Sequence, residues 1–235
     1  MSKIYSLENI SKIYESNIGK TAALDSISID LKEGEIITIL GPSGSGKSTM
    51  LNILSGIDSA SEGDVKFYDK SIGNLKQEEL TQYRKLNLGF IFQSYNLISN
   101  LTVYENIELG SHLSNSPLNI NEILGVVGLV EHKDKFPYQL SGGQMQWVAS
   151  ARAIAKNPRV LFCDEPTGAL DEKMGKEILK LMQDINKKYN TTIIIVTHNP
   201  SIAEMSNTVI KMNSGKIVRV EKNQTVVNAE NIRWA

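Results

Sequence analysis

The chain has 235 residues, of which 41% are hydrophobic and 22% charged, so it holds enough apolar material for one large domain or two small ones. Its formal net charge of −1 gives no electrostatic case for binding nucleic acid. The single cysteine, Cys163, excludes an intramolecular disulfide, and no apolar run approaches the roughly 20 residues that span a bilayer. Because the first residues also lack the apolar core of a secretion signal, we expect a soluble, cytoplasmic protein.

The N-terminal third of the chain has the pattern of β-strands. Its short runs alternate loosely between apolar and polar residues and are separated by turn-forming residues. A helix is expected to begin at Lys47, soon after the third of these runs. The predicted strands cover residues 4–10, 23–31, 35–40, 65–68 and 88–92.

The rest of the chain divides into a helical part and an alternating part. Helix-like spacing replaces the β-rich runs between residues 96 and 138, which we interpret as a helical insert. Farther along, strand and helix patterns alternate, which predicts a largely parallel sheet flanked by helices. The elements expected there are a strand at 160–164, a helix at 172–188, a strand at 192–197 and a hairpin at 209–220.

Residues 41–48 match the P-loop pattern G-x-x-x-x-G-K-S/T between a predicted strand and a predicted helix. The glycines let successive N–H groups point inward at phosphate oxygens, and the helix adds its positive end. Lys47 supplies a cation for the β and γ phosphates, and the Ser48 hydroxyl can reach Mg²⁺. The alternative, a plain flexible loop, is disfavoured by the flanking elements. The predicted nucleotide contacts are Gly41, Pro42, Ser43, Gly44, Ser45, Gly46, Lys47, Ser48 and Thr49.

Two carboxylates follow the apolar run at 160–163. Such a run is typical of a parallel strand that is buried on both faces, and ligands of these sheets bind where the strands end. Neighbouring strand residues point in different directions, so Asp164 is expected to serve the metal while Glu165 polarises the attacking water as general base. An ordinary acidic loop is the alternative, but a P-loop requires such a partner. Cys163 is expected to be a small buried hydrophobe.

The run Leu-Ser-Gly-Gly-Gln at 140–144 predicts a second phosphate site. Ser141 followed three residues later by Gln144 forms a capping box, in which Ser141 is the N-cap of a helix. Gly142 and Gly143 leave the first-turn N–H groups uncovered, so this helix end can meet an anion. A plain capped helix would be the preferred interpretation if the chain had no P-loop.

With these motifs the sequence resembles the nucleotide-binding subunits of ABC transporters along nearly its whole length. Residues 140–144 look like their signature motif, and residues 168–171 resemble their D-loop. Tyr14 stands where their adenine-stacking aromatic lies. Gln93 looks like the glutamine of their Q-loop, and His198 like their switch histidine.

The resemblance implies a P-loop NTPase of the ABC ATPase type, an α/β fold with a mostly parallel core sheet, an antiparallel β layer and a helical subdomain. Residues 1–95 and 158–235 would form the core, and residues 96–157 the helical subdomain with the signature motif, within one ABC domain. It also implies ATP and Mg²⁺ as cofactors. The implied catalytic residues are Glu165, His198, Gln93 and Lys47, and the implied metal ligands are Ser48, Gln93 and Asp164. Further implied nucleotide contacts are Tyr14, Ser141, Gly142, Gly143, Gln144 and Asp171.

The implied partners are a second copy of the chain and an integral membrane permease. Two copies would sandwich two ATP molecules head to tail, with the P-loop of one copy facing the signature motif of the other. Neither copy would then hydrolyse ATP efficiently alone. The permease would hold the subunit at the inner face of the plasma membrane.

Three segments, at 94–97, 102–106 and 165–171, are similar to the branch that serves macrolide export, lipoprotein release and antimicrobial-peptide resistance. The alternative is a signalling ATPase like that of the bacterial cell-division system. The end of the chain, 232–235, resembles the resistance branch, and a frayed terminus is the alternative there. Trp147 stands where the family usually carries arginine, which puts any local salt bridge there in doubt.

Overall fold

The computed structural model describes residues 2–16, 19–92, 94–168 and 170–234. Its strands are β1 (Lys3–Ser16), β2 (Gly19–Lys32), β3 (Ile36–Leu40), β4 (Glu62–Phe67), β5 (Lys70–Ser71), β6 (Leu88–Ile91), β7 (Val160–Asp164), β8 (Thr192–Thr197), β9 (Thr208–Asn213) and β10 (Lys216–Lys222). Its α-helices are α1 (Lys47–Leu54), α2 (Gln77–Asn87), α3 (Val103–Ser111), α4 (Ile120–Val126), α5 (Gly142–Ala155) and α6 (Glu172–Tyr189). Short 3₁₀ helices cover Val130–His132, Pro137–Gln139, Pro200–Met205 and Ala229–Asn231.

A six-stranded, mostly parallel sheet forms the centre of the molecule. Its strand order is β10-β9-β3-β8-β7-β6, and only the β10–β9 pair is antiparallel. Side chains of β7 alternate between two cores, since Phe162 faces one and Cys163 the other. Burial on both faces explains why these strands are continuous apolar runs. The prediction of a largely parallel sheet is confirmed.

An antiparallel layer covers one face of this sheet together with α1. Its strand order is β2-β1-β4-β5. The core beneath it combines Ile4 and Ile10 of β1 with Leu54 of α1 and Phe162 of the central sheet. This layer therefore fixes α1, and with it the loop that precedes α1, against the ends of the parallel strands.

The opposite face of the sheet packs against helices, and the regular structure within 96–138 is helical, as expected: it consists of α3, α4 and short 3₁₀ turns, with no strand in this fully described segment. Asn106 of α3 is fully buried and pins the preceding loop, because its amide donates to the carbonyls of Ile98, Leu101 and Thr102 at 3.1, 3.0 and 2.9 Å. The division of the domain at residues 95/96 and 157/158 stays a prediction.

Helix α2 is absent from the sequence-based expectation. It is strongly polar, and Tyr83 is its only buried residue, so it carries little of the apolar periodicity that indicates a helix. The Tyr83 hydroxyl donates to the carbonyl of Leu54 at 2.8 Å, which ties α2 to the end of α1.

Within the described residues, no helix combines the length and apolar character that crossing a bilayer requires.

Candidate active site

A cleft of about 800 Å³ opens where β3, β7 and β8 end. This is the edge at which ligands of parallel sheets bind, and the volume lies within the range of small-molecule sites. The predicted P-loop, the two carboxylates and the histidine meet there. The lining residues are Thr21, Ala22, Ala23, Ser43, Gly44, Ser45, Gly46, Lys47, Ser48, Thr49, Phe92, Ser94, Asn96, Asp164, Glu165, Val196 and His198.

The glycine-rich loop between β3 and α1 takes a backbone path that side chains would block. Gly44 and Gly46 have φ values of 76° and 97°, in the left-handed region that favours glycine. A Cβ at Gly46 would also lie 2.5 Å from the carbonyl oxygen of Ala23 in β2. Strand β2 of the antiparallel layer therefore packs directly against the loop at Gly46, and the loop lines the cleft.

The start of α1 has polar groups ready for an anion. Its N-cap, Gly46, has no side chain to accept a hydrogen bond, and its first turn contains no acidic residue. The Nζ atom of Lys47 donates to the carbonyls of Gly41 and Pro42, both at 2.9 Å. The hydroxyl of Ser45 is buried and has no hydrogen-bond partner within the described part of the chain. A phosphate would complement all of these groups.

Glu165 lies at the junction of the carboxylate pair and the histidine. Its backbone φ of 47° is strained for a residue other than glycine, and its N–H donates to the carbonyl of Val196 at 2.9 Å. Its Oε2 atom accepts from the Thr197 hydroxyl at 3.1 Å, and its Oε1 atom lies 2.8 Å from Nδ1 of His198. An ionised carboxylate only accepts, so a hydrogen bond to ionised Glu165 would be donated by Nδ1 of His198.

Asp164, at the end of β7, is half-buried beside this network. Its desolvation raises the pKa of the Asp164 carboxyl above its ordinary value, and the neighbouring charge of Glu165 adds to the rise. The Lys47 ammonium opposes both effects and lowers this pKa. Burial and Glu165 thus disfavour the ionised form of Asp164, which a cation bound beside it would stabilise.

Tyr14 lies in the antiparallel layer and does not line the cleft. Its hydroxyl donates to Oδ2 of Asp58 at 2.8 Å, and Lys12 donates to Oδ1 of the same carboxylate at 2.7 Å. The Nζ atom of Lys12 also lies 4.9 Å from the centre of the Tyr14 ring. Partial burial, and then the bond to Asp58, raise the pKa of the Tyr14 phenol. Sequence reasoning missed Lys12 and Asp58, because only the fold brings Asp58 to this strand.

The signature residues form the predicted capping box at the start of α5. The Ser141 hydroxyl accepts from the N–H of Gln144 at 3.3 Å, and Gln144 Oε1 accepts from the N–H of Ser141 at 3.0 Å. The Gln144 amide also lies 2.8 Å from Nε2 of His132. None of residues 141–144 lines the cleft. Within the described residues of one chain, the two predicted phosphate sites therefore remain apart.

The remaining predicted positions have separate outcomes. Asp171 does not line the cleft either, and it is the N-cap of α6, where its Oδ1 accepts from the N–H of Met174 at 3.0 Å. Gln93, predicted as a metal ligand and catalytic residue, lies outside the described residues. Trp147 packs half-buried against the helical core, with its Nε1 lacking a partner in the described part of the chain. Cys163 is fully buried, which raises the pKa of its thiol and leaves it a core residue.

Comparisons with known proteins give consistent matches. A family model described as ABC transporter matches residues 24–168. The bacitracin export ATP-binding protein BceA of Halalkalibacterium halodurans is 42% identical over 214 residues, covering 89% of this chain and 85% of that protein. The putative ABC transporter ATP-binding protein MG065 homolog of Mycoplasma pneumoniae is 44% identical over 98% of this chain. This chain spans 50% of the length of that relative.

Solved structures also match over nearly the whole chain. The dimeric structure of the transporter cassette MJ0796, from Methanocaldococcus jannaschii, has a TM-score of 0.82 and 38% identity, covering 93% of this chain and 98% of that one. The structure of cbiO1 from Clostridium perfringens, part of the transporter complex cbiONQ, has a TM-score of 0.84 and 31% identity. It covers 94% of this chain and 89% of that one.

Proposed function

This chain belongs to the ABC transporter family, and from that premise we propose that it binds and hydrolyses ATP to drive an export or antimicrobial-peptide-resistance transporter. One observation carries the proposal. The uncapped, glycine-rich start of α1 opens on the same cleft as Asp164, Glu165 and His198. The proposed phosphate cradle, metal carboxylate and base thus line one cleft, which is what hydrolysis of a nucleoside triphosphate requires.

Nucleotide binding follows from the groups at the α1 terminus. The triphosphate would accept hydrogen bonds from the loop N–H groups and from Lys47. The Lys47 ammonium, which now donates to two neutral backbone carbonyls, would then donate to anionic phosphate oxygens. Tyr14 would stack on the adenine from the antiparallel layer, held in place by Asp58. The MJ0796 cassette was solved with ADP and phosphate, which supports a nucleotide at the corresponding place in this chain.

The donor set fits a magnesium ion. Ser48 and Asp164 offer one hydroxyl and one carboxylate at the cleft, and Gln93 belongs to the proposed set. Among the described residues, no group of three or more His, Cys, Asp or Glu side chains forms a dedicated metal cage. Mg²⁺ commonly binds through one or two carboxylates plus substrate phosphates, so a sparse set is appropriate. The bound ion would neutralise phosphate charge in the transition state.

Glu165 is proposed as the general base. Its carboxylate is aimed by Thr197 and His198, so that it can accept a proton from a water beside the γ-phosphate. The contact between His198 and Glu165 also suggests that His198 responds to nucleotide binding. When nucleotide enters, the exposed imidazole can leave Glu165 and donate to the phosphate, releasing the base for the water.

We propose that a second copy of the chain supplies the contacts between the signature motif and the nucleotide. The α5 terminus is formed and capped, yet it lies outside the cleft of its own chain. A head-to-tail dimer would bring residues 141–144 of one copy to the nucleotide of the other. The dimeric MJ0796 structures support this arrangement.

A membrane permease is proposed as the other partner, with this subunit at the cytoplasmic face. The relation to a bacitracin export protein favours export or resistance over signalling. The segment after Gln93 is the proposed contact: Leu97 packs against the helical core, whereas Ile98 is 42% exposed. Arg152 supports this segment by donating to the carbonyls of Asn96 and Tyr95 at 2.7 and 3.2 Å.

The test is ATP hydrolysis by the purified chain, measured with Mg²⁺ and with EDTA over a range of protein concentrations. We expect hydrolysis that requires Mg²⁺ and whose rate per chain rises with concentration. Lys47→Ala should lose about 100-fold in ATP affinity, since it removes a charge-assisted contact within a closed cradle. Lys66→Ala, on the antiparallel layer, is the matched control. Unchanged ATP binding by Lys47→Ala would contradict the proposal.

A further inference from the structure

The end of the chain packs against α6, and this contact has no part in the catalytic scheme above. We call residues 227–234 the strap. Ala229 is fully buried and Ile232 is 1% exposed, and both belong to the core that α6 shares with the helical segment. Their burial in that core contradicts a frayed terminus.

Polar contacts fix the strap along α6 in one register. The side chain of Gln183, in α6, donates to the carbonyl of Val227 at 2.9 Å and accepts from the N–H of Ala229 at 2.8 Å. The N–H of Val227 donates to the carbonyl of Glu204 at 3.0 Å. The Nζ atom of Lys180 lies 3.6 Å from the carboxylate of Glu230. A one-residue shift of the strap would break the Gln183 pair.

Trp234 completes the strap at the first turn of α6. Its indole lies directly on Gly175, where a Cβ would overlap the ring. Gly175 is buried, and its N–H donates to the carbonyl of Asp171 at 2.8 Å. The ring therefore bears on the turn that Asp171 caps.

The neighbouring residue of that turn extends the contact to the signature helix. Met174 donates its N–H to Oδ1 of Asp171, and its methyl group occupies the space above Gly143 that a Cβ would need. Gly143 is buried in the first turn of α5, between the capping residues Ser141 and Gln144. Trp234 on Gly175 and Met174 on Gly143 thus connect residue 234 to the signature motif through two adjacent residues in the first turn of α6.

We propose that Trp234 is a positioning residue for the surface that this chain presents to its second copy. Resting on the proposed dimer function, the inference is that the strap holds the first turn of α6, and through Met174 it sets the position of Asp171 and of the α5 terminus. Both groups would act on the nucleotide held by the other copy. Loss of the strap contact should therefore slow turnover without weakening the chain's own nucleotide cradle.

The test compares Trp234→Ala, the conservative Trp234→Phe and the control Arg233→Ala, whose side chain is exposed. For Trp234→Ala we expect kcat to fall about fivefold to tenfold while KM for ATP changes less than about twofold. Trp234→Phe should retain at least about half of the wild-type kcat, because a ring remains on Gly175. Arg233→Ala should match wild type.

A double-mutant cycle with Gly175→Ala distinguishes positioning from general helix stability. Alanine is a better helix former than glycine, so if helix stability alone mattered, Gly175→Ala would stabilise α6 and would not lower kcat. The strap instead predicts that Gly175→Ala lowers kcat in the presence of Trp234, because its Cβ displaces the ring. In Trp234→Ala, where the ring is gone, Gly175→Ala should lower kcat no further.

Hydrogen exchange of the nucleotide-free chain decides the inference independently of ATP hydrolysis. In Trp234→Ala we expect faster exchange both at Met174 and Gly175 and at Gln144 and Met145 in the first turn of α5. Faster exchange in α6 alone, or an unchanged kcat in both Trp234→Ala and Gly175→Ala, would overturn the proposed connection. If wild type hydrolyses no ATP, the proposed function fails, and the exchange pattern still decides whether the strap reaches α5. Should Trp234→Ala not fold, Gly175→Ala, which displaces the ring, is used for the same measurements.

Discussion

Two helices of this molecule begin in glycine-rich sequence, and their N-termini are completed in opposite ways. Helix α1 follows Gly46 with no side-chain cap, and its terminus opens on a cleft within its own chain. Helix α5 follows Ser141, which exchanges hydrogen bonds with Gln144, and its terminus lies outside that cleft. An uncapped terminus leaves N–H groups that only a ligand or water satisfies, whereas a capped one is stable alone.

The difference indicates two kinds of phosphate contact. The α1 terminus, with the buried Ser45 hydroxyl that has no partner among the described residues, is the one that we expect a nucleotide to complete, so the proposed nucleotide would bind there first. The α5 terminus keeps its shape without a ligand, because Gln144 is also held by His132. A preformed surface of this kind would suit the proposed contact with a second copy, which would form and break in each cycle of ATP hydrolysis.

The largest expected effect separates chemistry from binding at the α1 side. Glu165→Gln removes the proposed base but keeps an acceptor toward Thr197, so hydrolysis should fall about 100-fold to 1,000-fold while ATP affinity is kept. An ATP-bound dimer should then accumulate, measured by size-exclusion chromatography with light scattering. Glu204→Gln, on the surface, is the control. Near-normal hydrolysis by Glu165→Gln would remove the general-base assignment.

The next expected effect tests whether the two termini act in different chains. Ser141→Arg places bulk and charge at the α5 terminus and should abolish hydrolysis. Mixing it with Glu165→Gln creates heterodimers in which one site has both an intact base and an intact signature. When equal amounts are mixed, random pairing makes about half of the dimers mixed, and each mixed dimer has one intact site out of two. Activity should therefore return to about a quarter of wild type. If heterodimers form and every mixing ratio stays inactive, the composite site is wrong or the two sites are strictly coupled.

The sequence predicted those parts of the site whose signals are local. The P-loop at 41–48 and the Ser141 box depend on neighbours a few residues away. The fold has a strand before and a helix after the first segment, and a capping box at the second, as predicted. The apolar run ending at Asp164 predicts a buried strand and its acidic end for the same reason. These signals need no knowledge of the rest of the chain.

The missed features depend on contacts between distant segments. Asp58 reaches Tyr14 only because β1 packs beside the end of α1, and Trp234 reaches Gly175 only because the strap follows α6. Helix α2 was not predicted for a different reason: only one of its residues is buried, so its sequence pattern is nearly all polar. Local pattern thus predicted the candidate site residues, whereas the residues that contact and support them follow only from long-range packing.

A smaller effect is expected where the adenine contact meets its support. Base–aromatic stacking is worth about 1–3 kcal/mol, so Tyr14→Ala should raise KM for ATP about tenfold with kcat nearly unchanged. Tyr14→Phe and Asp58→Asn keep the ring but weaken the contact that orients it, so each should raise KM about threefold. Asp69→Asn, an exposed aspartate of the same layer, is the control. Equal KM values for Tyr14→Ala and wild type would place the adenine elsewhere.

The smallest expected effect is on thermal stability, and it concerns the carboxylate of Asp164, which lies in the cleft next to α1. The folded-state pKa of Asp164 is raised, so the folded chain binds this proton more tightly than the unfolded chain does. The ionised carboxylate therefore destabilises the fold above that raised pKa, and the cost vanishes as the pH falls below the unfolded value of about 4. Asp164→Asn should raise Tm at pH 7.5 and leave it unchanged at pH 3.5, because the carboxylate is ionised only at the higher pH. The measurement is thermal unfolding of the nucleotide-free chain at both pH values, with the exposed Asp184→Asn as control. The same variant should lose Mg²⁺-dependent hydrolysis, whereas a lower Tm at pH 7.5 would mean that Lys47 stabilises the carboxylate more than its burial and Glu165 destabilise it.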